Sequence, residues 1–190
     1  MSVTPLTTGS AVSYTQHEQK DGVVVGINPM TNKGEIKDMF KVILLDEGLL
    51  PILVVAENQS ASASVIIAKD RVFVLNEATK TTNSSQRKEV ASGTAGTAVG
   101  ITGAALGSTP LLLAGLKMAS DATVIQYNLA DKEFYSRTLG PGEKAQGFVY
   151  FQFPKESPPS GNYHLVAEVK NSATGKATTF DFPVNLTLPK

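Results

Sequence analysis

The stretch "TTFDFPVNLTL", residues 178–188, alternates without a break: Thr178, Phe180, Phe182, Val184, Leu186 and Leu188 fall on one side, and Thr179, Asp181, Pro183, Asn185 and Thr187 on the other. A side-chain period of two held over that length excludes a helix and requires a strand with one buried and one wet face. Just before it, "NYHLVAEVK" sets Tyr163, Leu165, Ala167 and Val169 on one face and His164, Glu168 and Lys170 on the other, with Val166 as the exception. "NSATGK" supplies the turn, so the two strands form a hairpin. Pro183 has no N–H to give to a ladder, which assigns its outward side to a sheet edge or a bulge.

Strand signals continue upstream. In "LGPGEKAQGFVYFQFP" the pair Pro141-Gly142 suits the centre of a type II turn, and an aromatic-rich strand runs from about Lys144 to Phe153 until "ESPPSG" ends it. "GLLPILVVAENQS" and "SASVIIAKDRVFVLN" read as two buried strands and "DGVVVGINP" as an earlier one. In "NKGEIKDMFKVILLDEG" the positions Ile36, Met39, Phe40 and Ile43 fit a short amphipathic helix followed by extended chain. Short strands parted by turn signals predict a mainly β fold, an antiparallel Ig-like β-sandwich, in preference to a parallel α/β sheet. With 190 residues, one domain carrying an insertion is the expected organisation: an amino-terminal tether over 1–20, rich in Ser and Thr, then a sandwich over 21–190.

Residues 78–128 break the pattern, and strands resume after them. Within this insertion "GTAGTAVGITGAALG" spaces Gly93, Gly96, Gly100, Gly103 and Gly107 by three, four, three and four residues, a helical stripe. Glycine costs a helix interior roughly 1 kcal/mol relative to alanine, so a stripe of glycines needs a compensating contact, and close backbone packing supplies one. The spacing predicts an αα-hairpin: one helix over about 84–106 closed by Gly107, and a second that starts near Pro110, capped by Ser108 or Thr109. The second helix, with Leu111, Leu112, Leu113, Leu116 and Met118, approaches the first through the small-residue stripe. No charge occurs from Val90 to Leu116, a run of 27 residues, longer than the roughly 20 that span a hydrocarbon core. Pro110 interrupts any single spanning helix there. Three destinations stay open for the hairpin: packing on the sandwich or on itself, membrane contact, and self-association.

No catalytic constellation emerges. Lys and Arg number 17 against 17 Asp and Glu, so no basic field calls for nucleic acid. The chain has no cysteine, which removes disulfides, thiolate nucleophiles and sulfur ligands. Of the two histidines, His17 sits in polar "YTQHEQKDG" and His164 takes the solvent phase of its strand, which leaves no metal-ligand spacing. Asp46 and Glu47 fall in a turn. Asp131 and Glu133, in "ADKEFYSR", share a strand face that charge on a solvated surface explains equally well. The glycines lack the Gly-Lys-Ser/Thr ending or the strand-loop-helix context of a phosphate site. Three glycosylation triplets start at Asn58, Asn83 and Asn185, short matches that arise by chance. The expectation is a non-enzyme without metal or cofactor.

The succession "GVVVGINP", "LLPILVVAENQS" with "SVIIAKDRVFVL", a glycine-rich insert and "LGPGEKAQGFVYFQFP" resembles uncharacterised bacterial envelope lipoproteins with an Ig-like sandwich. The likeness rests on a strand ending in Asn-x-Ser, Asn58 to Ser60, and on a later Pro-Gly-Glu turn and Gly-Phe-Val-Tyr-Phe strand, Pro141 to Phe151. It implies a lipid-anchored mature chain in the periplasm or at the outer membrane, whereas the amino terminus, with no basic segment before an apolar run, fits a cytoplasmic protein as well. The expected role is binding or assembly through the insertion, with a protein partner or further copies. The interacting residues are Gly93, Gly96, Gly100, Gly103, Gly107, Leu111, Leu112, Leu113 and Leu116. The alternative is a membrane-inserting or pore-forming protein.

Overall fold

In chain order the elements are β1 (Gln16–Lys20), β2 (Val23–Pro29), α1 (Lys33–Phe40), β3 (Leu49–Asn58), β4 (Val65–Asn76), β5 (Arg137–Leu139), β6 (Lys144–Gln152), β7 (Ser160–Asn171) and β8 (Ala177–Thr187), as seen in a computed structural model that describes residues 6–76, 128–153 and 160–188. They build two antiparallel sheets of four strands each, in the orders β1-β2-β3-β6 and β5-β4-β7-β8.

The β7–β8 hairpin realises the alternation that the sequence imposes. Tyr163 pairs with Val184, Leu165 with Phe182 and Ala167 with Phe180, all buried in one face, and the turn closes at Gly175 with φ of 71°. Strand β8 is the edge of its sheet, as Pro183 requires. Its outward backbone groups are nonetheless engaged by side chains of β1, the edge of the other sheet. Gln16 Nε2 donates to the Pro183 carbonyl at 2.8 Å, Lys20 Nζ to that of Thr179 at 2.9 Å, and Glu18 accepts from the Asp181 N–H at 3.4 Å.

Strand β3 has no alternation because it is covered on both faces, and every residue from Leu49 to Ala56 is buried. One face of the first sheet, with Val25, Val54 and Val149, belongs to the main core. The opposite face carries Gly26, Val55 and Gln146 in register, and residues 6–15 cross it. Gln146 donates to the Leu6 carbonyl at 3.1 Å and accepts from Thr8 Oγ1, while Glu57 accepts from the Ala11 N–H and from Ser10 Oγ, both at 2.9 Å. A Cβ at position 26 would collide with the Ala11 carbonyl, so only glycine lets the chain lie this close.

Helix α1 covers the rest of that face. Asn32 caps it, accepting from the Gly34 and Glu35 N–H groups at 2.9 and 3.3 Å. Ile36 and Phe40 point inward, and the Phe40 ring meets Phe148 edge-on at 5.1 Å and Tyr150 at 6.0 Å. Beyond Lys41, in the left-handed region, a 3-10 turn over Leu44–Glu47 replaces the extended chain expected there. Leu44 and Leu45 gain burial in that turn which an extended run on the surface would deny them.

The Asn-x-Ser strand end and the Pro-Gly-Glu turn meet in space. Asn58 donates its N–H to the Glu143 carbonyl at 2.9 Å and accepts from the Gly142 N–H at 2.7 Å, and Gly142 takes the φ of 78° that a type II turn demands. The fully buried Asn58 side chain donates to the carbonyls of Ala63 at 2.7 Å and Leu139 at 3.0 Å. Its oxygen accepts from the N–H and Oγ of Ser60 at 3.1 and 2.7 Å. The amide thereby ties the end of β3, in one sheet, to β5, in the other.

Candidate functional site

The residues to which the sequence assigns interaction, Gly93, Gly96, Gly100, Gly103, Gly107, Leu111, Leu112, Leu113 and Leu116, lie outside the described residues. What the fold does describe is where the insertion leaves and rejoins the sheets. Strand β4 ends at Asn76, paired with Tyr163, and the chain returns through a helical turn over 128–131 and an extended stretch over 132–136 before β5.

The departing side is distorted. Ile67 pairs with Val169 and Val72 with Ala167, so Ala68, Lys69, Asp70 and Arg71 together stand opposite Glu168 alone. This bulge reverses the phase of β4: the residues that join the main core are Val65 and Ile67 before it and Val72 after it. It also turns Lys69 toward the returning side, where its N–H donates to Ser136 Oγ at 2.8 Å and its ammonium pairs with Glu133. Arg71 meets Glu168 at 3.0 Å.

The returning side is clamped to β6. Phe134 donates its N–H to the Phe148 carbonyl at 2.9 Å, and Phe148 donates to the Lys132 carbonyl at 2.7 Å, so residues 132–134 occupy the free edge of the first sheet. The crossing is close enough that a Cβ on Gly147 would stand 2.5 Å from Phe134 Cα and 2.7 Å from the Glu133 carbonyl oxygen. The chain then passes to the second sheet as β5, with Phe134 fully buried between.

Besides Glu133, three polar groups are buried here. Tyr150 donates its hydroxyl to the Leu129 carbonyl at 2.9 Å, and its burial, reinforced by the Glu133 charge, raises its pKa well above the ordinary phenol value. Lys132, 1% exposed, extends to Asn128 Oδ1 at 3.0 Å. Desolvation lowers its pKa, Asp131 at 4.0 Å opposes that shift, and Lys41 adds to it. The Asn128 amide nitrogen, also buried, makes no hydrogen bond. At the rim Tyr135 donates to the Ala130 carbonyl at 2.7 Å and is held above its ordinary pKa chiefly by burial.

This arrangement fixes the chain and contains no relay of nucleophile, base and orienting group. Among the described residues no three of His, Cys, Asp and Glu stand close enough to hold a metal ion. His17 is exposed on β1 with Nδ1 at 2.8 Å from the Tyr14 carbonyl, and His164 pairs with Asp181 at 2.6 Å on the outward face of β7. Asp46 meets Lys33 at 2.7 Å. Asp131 is exposed in the helical turn while Glu133 is buried against Lys69, so the two do not share a strand face. Sequence reasoning missed Lys132, Asn128 and Gly147. The one available signal was the phase reversal between Ile67 and Val72, which marks a bulge beside a special junction.

No helix among the described residues is long and apolar enough to cross a membrane. The chain matches no protein-family model and no curated protein.

Proposed function

We propose that this chain is a non-enzymatic binding module of the bacterial cell envelope, an Ig-like β-sandwich that presents the insertion of residues 78–128 to a protein partner or to further copies of itself. The strand order supports the Ig-like part. Lettered from β2, the sheets read A-B-E and C′-C-F-G, the sequence of neighbours in that class, with β1 as an added edge strand. The insertion then occupies the C–C′ connection, an end loop of the sandwich, and loops positioned by a rigid scaffold are where binding residues concentrate.

The observation that carries the reading is that both roots of the insertion are held by the framework: β4 to β7 on one side, and residues 132–134 over Gly147 on the other. A scaffold that fixes both ends of one long excursion, uncharged from Val90 to Leu116, is built to display it. Replacing Gly100 and Gly103 together by Leu fills the stripe. Light scattering is expected to give a lower mass for that double variant than for the wild-type assembly, with an unchanged sandwich melt. An unchanged mass would contradict the reading.

The run of 27 residues without charge, Val90 to Leu116, favours membrane insertion as the second reading. It predicts liposome binding that survives high salt, because the run offers salt no charge to screen. Absence of binding to anionic and zwitterionic vesicles alike removes it.

A further inference from the structure

Lys132 buries a charge that its surroundings do not match. Its side chain is completely buried. An ammonium carries three N–H donors, and among the described residues Lys132 Nζ meets one hydrogen-bond acceptor, Asn128 Oδ1 at 3.0 Å. Asp131, at 4.0 Å, stands at the limit of an ion pair and turns 57% of its side chain to solvent, where salt and water screen it. The Asn128 side chain is buried as well, and its Nδ2 makes no hydrogen bond.

Turning the amide over would set its N–H groups against the ammonium, so the Lys132–Asn128 bond fixes which end of the amide is left as a donor. An amide's own oxygen and nitrogen are about 2.3 Å apart. Asn128 Nδ2 therefore lies within about 5.3 Å of Lys132 Nζ, less than two N–H···acceptor distances of about 2.9 Å laid end to end. A single acceptor can touch both groups. Its charge follows from the neighbours. Glu133 is engaged by Lys69, and Lys41 adds its positive potential to that of Lys132. A neutral acceptor satisfies the N–H groups but leaves this buried charge uncompensated, whereas an anion matches both.

We propose that Lys132 and Asn128 form a binding site for a small monovalent anion of the size of chloride. Burial of both side chains restricts the ion to a compact one, and a weakly hydrated halide sheds its water at lower cost than sulfate or phosphate. Solvent is close by, since Asp131 and Tyr135 on the same stretch are exposed. The ion ties the helical turn over 128–131 to residue 132, whose carbonyl accepts from the Phe148 N–H. The return root of the insertion is thereby made sensitive to halide concentration. The site does not depend on what the insertion contacts.

The test compares melts of the full chain at neutral pH in sodium chloride and in sodium gluconate, whose anion is too large for the site, at equal ionic strength. Chloride is expected to raise the wild-type melting temperature by about 2–4 °C. Two variants should melt alike in the two salts. Lys132→Met with Asn128→Leu removes the donors, and Asn128→Asp supplies the counter-charge from the chain itself. A wild type that melts alike in both salts overturns the proposal, as does a chloride shift that persists in either variant. Should the double variant fail to fold, Asn128→Asp decides, since it keeps the shape of the side chain and the oxygen that Lys132 uses. Chloride-35 NMR gives an independent reading: the wild type is expected to broaden the chloride line more than Asn128→Asp does, and equal broadening overturns the proposal. Neither readout involves assembly, so failure of the anion site and failure of the assembly reading are distinguishable.

Discussion

Asn58 uses both donors and both acceptor positions of its amide inside the fold, bridging β3, the 59–64 connection and β5. Asn58→Ala removes the donor to the Leu139 carbonyl and the acceptor of the Ser60 N–H, while Ser60 Oγ still reaches the Ala63 carbonyl at 2.6 Å, and is expected to cost about 2–3 kcal/mol of stability, read by urea denaturation. A loss under 0.5 kcal/mol would show that water replaces the amide. Gly147 is constrained differently: Gly147→Ala drives a methyl into the backbone of residues 133–134, with an expected cost of roughly 1–3 kcal/mol from overpacking. Lys132 makes stability depend on pH. Its folded pKa lies below the unfolded value, so the unfolded chain binds more protons between the two, and stability rises with pH across that window up to about 10.4, the ordinary lysine value. Lys132→Met combined with Asn128→Leu removes the slope, and melts at neutral and alkaline pH should show the variant's advantage shrinking as pH rises. The buried tyrosines are common to both proteins and cancel in the comparison.

At the scale of elements, what the sequence revealed depended on how many faces each element buries. The β7–β8 hairpin buries one face of each strand and reads directly from its alternation, down to the edge position of Pro183. β3 buries both faces and appears as an unbroken apolar run, legible as a strand but silent about α1 and residues 6–15 that cover it. β1, "QHEQK", has no apolar residue and gave no strand signal. It exists because β2 pairs with it and because Gln16, Glu18 and Lys20 reach the β8 edge. That seam guards an otherwise open edge, where side chains stand in for a neighbouring strand. Gln16→Ala with Lys20→Ala is expected to lower stability by only about 1 kcal/mol while accelerating aggregation on heating, measured by turbidity. Unaltered aggregation would mean that Pro183 alone protects the edge. The stem of the insertion was illegible for a related reason: Lys132, Asn128 and Gly147 acquire their roles from contacts with β6 and the helical turn, and nothing in their own neighbourhood announces such contacts.

For the whole molecule, the two sheets and their covers form a frame closed on both sides, by the β1–β8 seam at one and by residues 132–134 over β6 at the other. From that frame a single connection departs that is far longer than the others and free of charge through its middle. A sandwich with sealed edges and no catalytic grouping among its described residues is suited to holding a displayed segment at a fixed place. The most direct measurement is light scattering behind size exclusion on the purified chain, with and without detergent. The account predicts an oligomer of defined mass, or one whose mass shifts when detergent competes for the insertion. A strict monomer under both conditions, unchanged by Gly100→Leu with Gly103→Leu, would contradict the assembly role and leave the glycine stripe as internal packing.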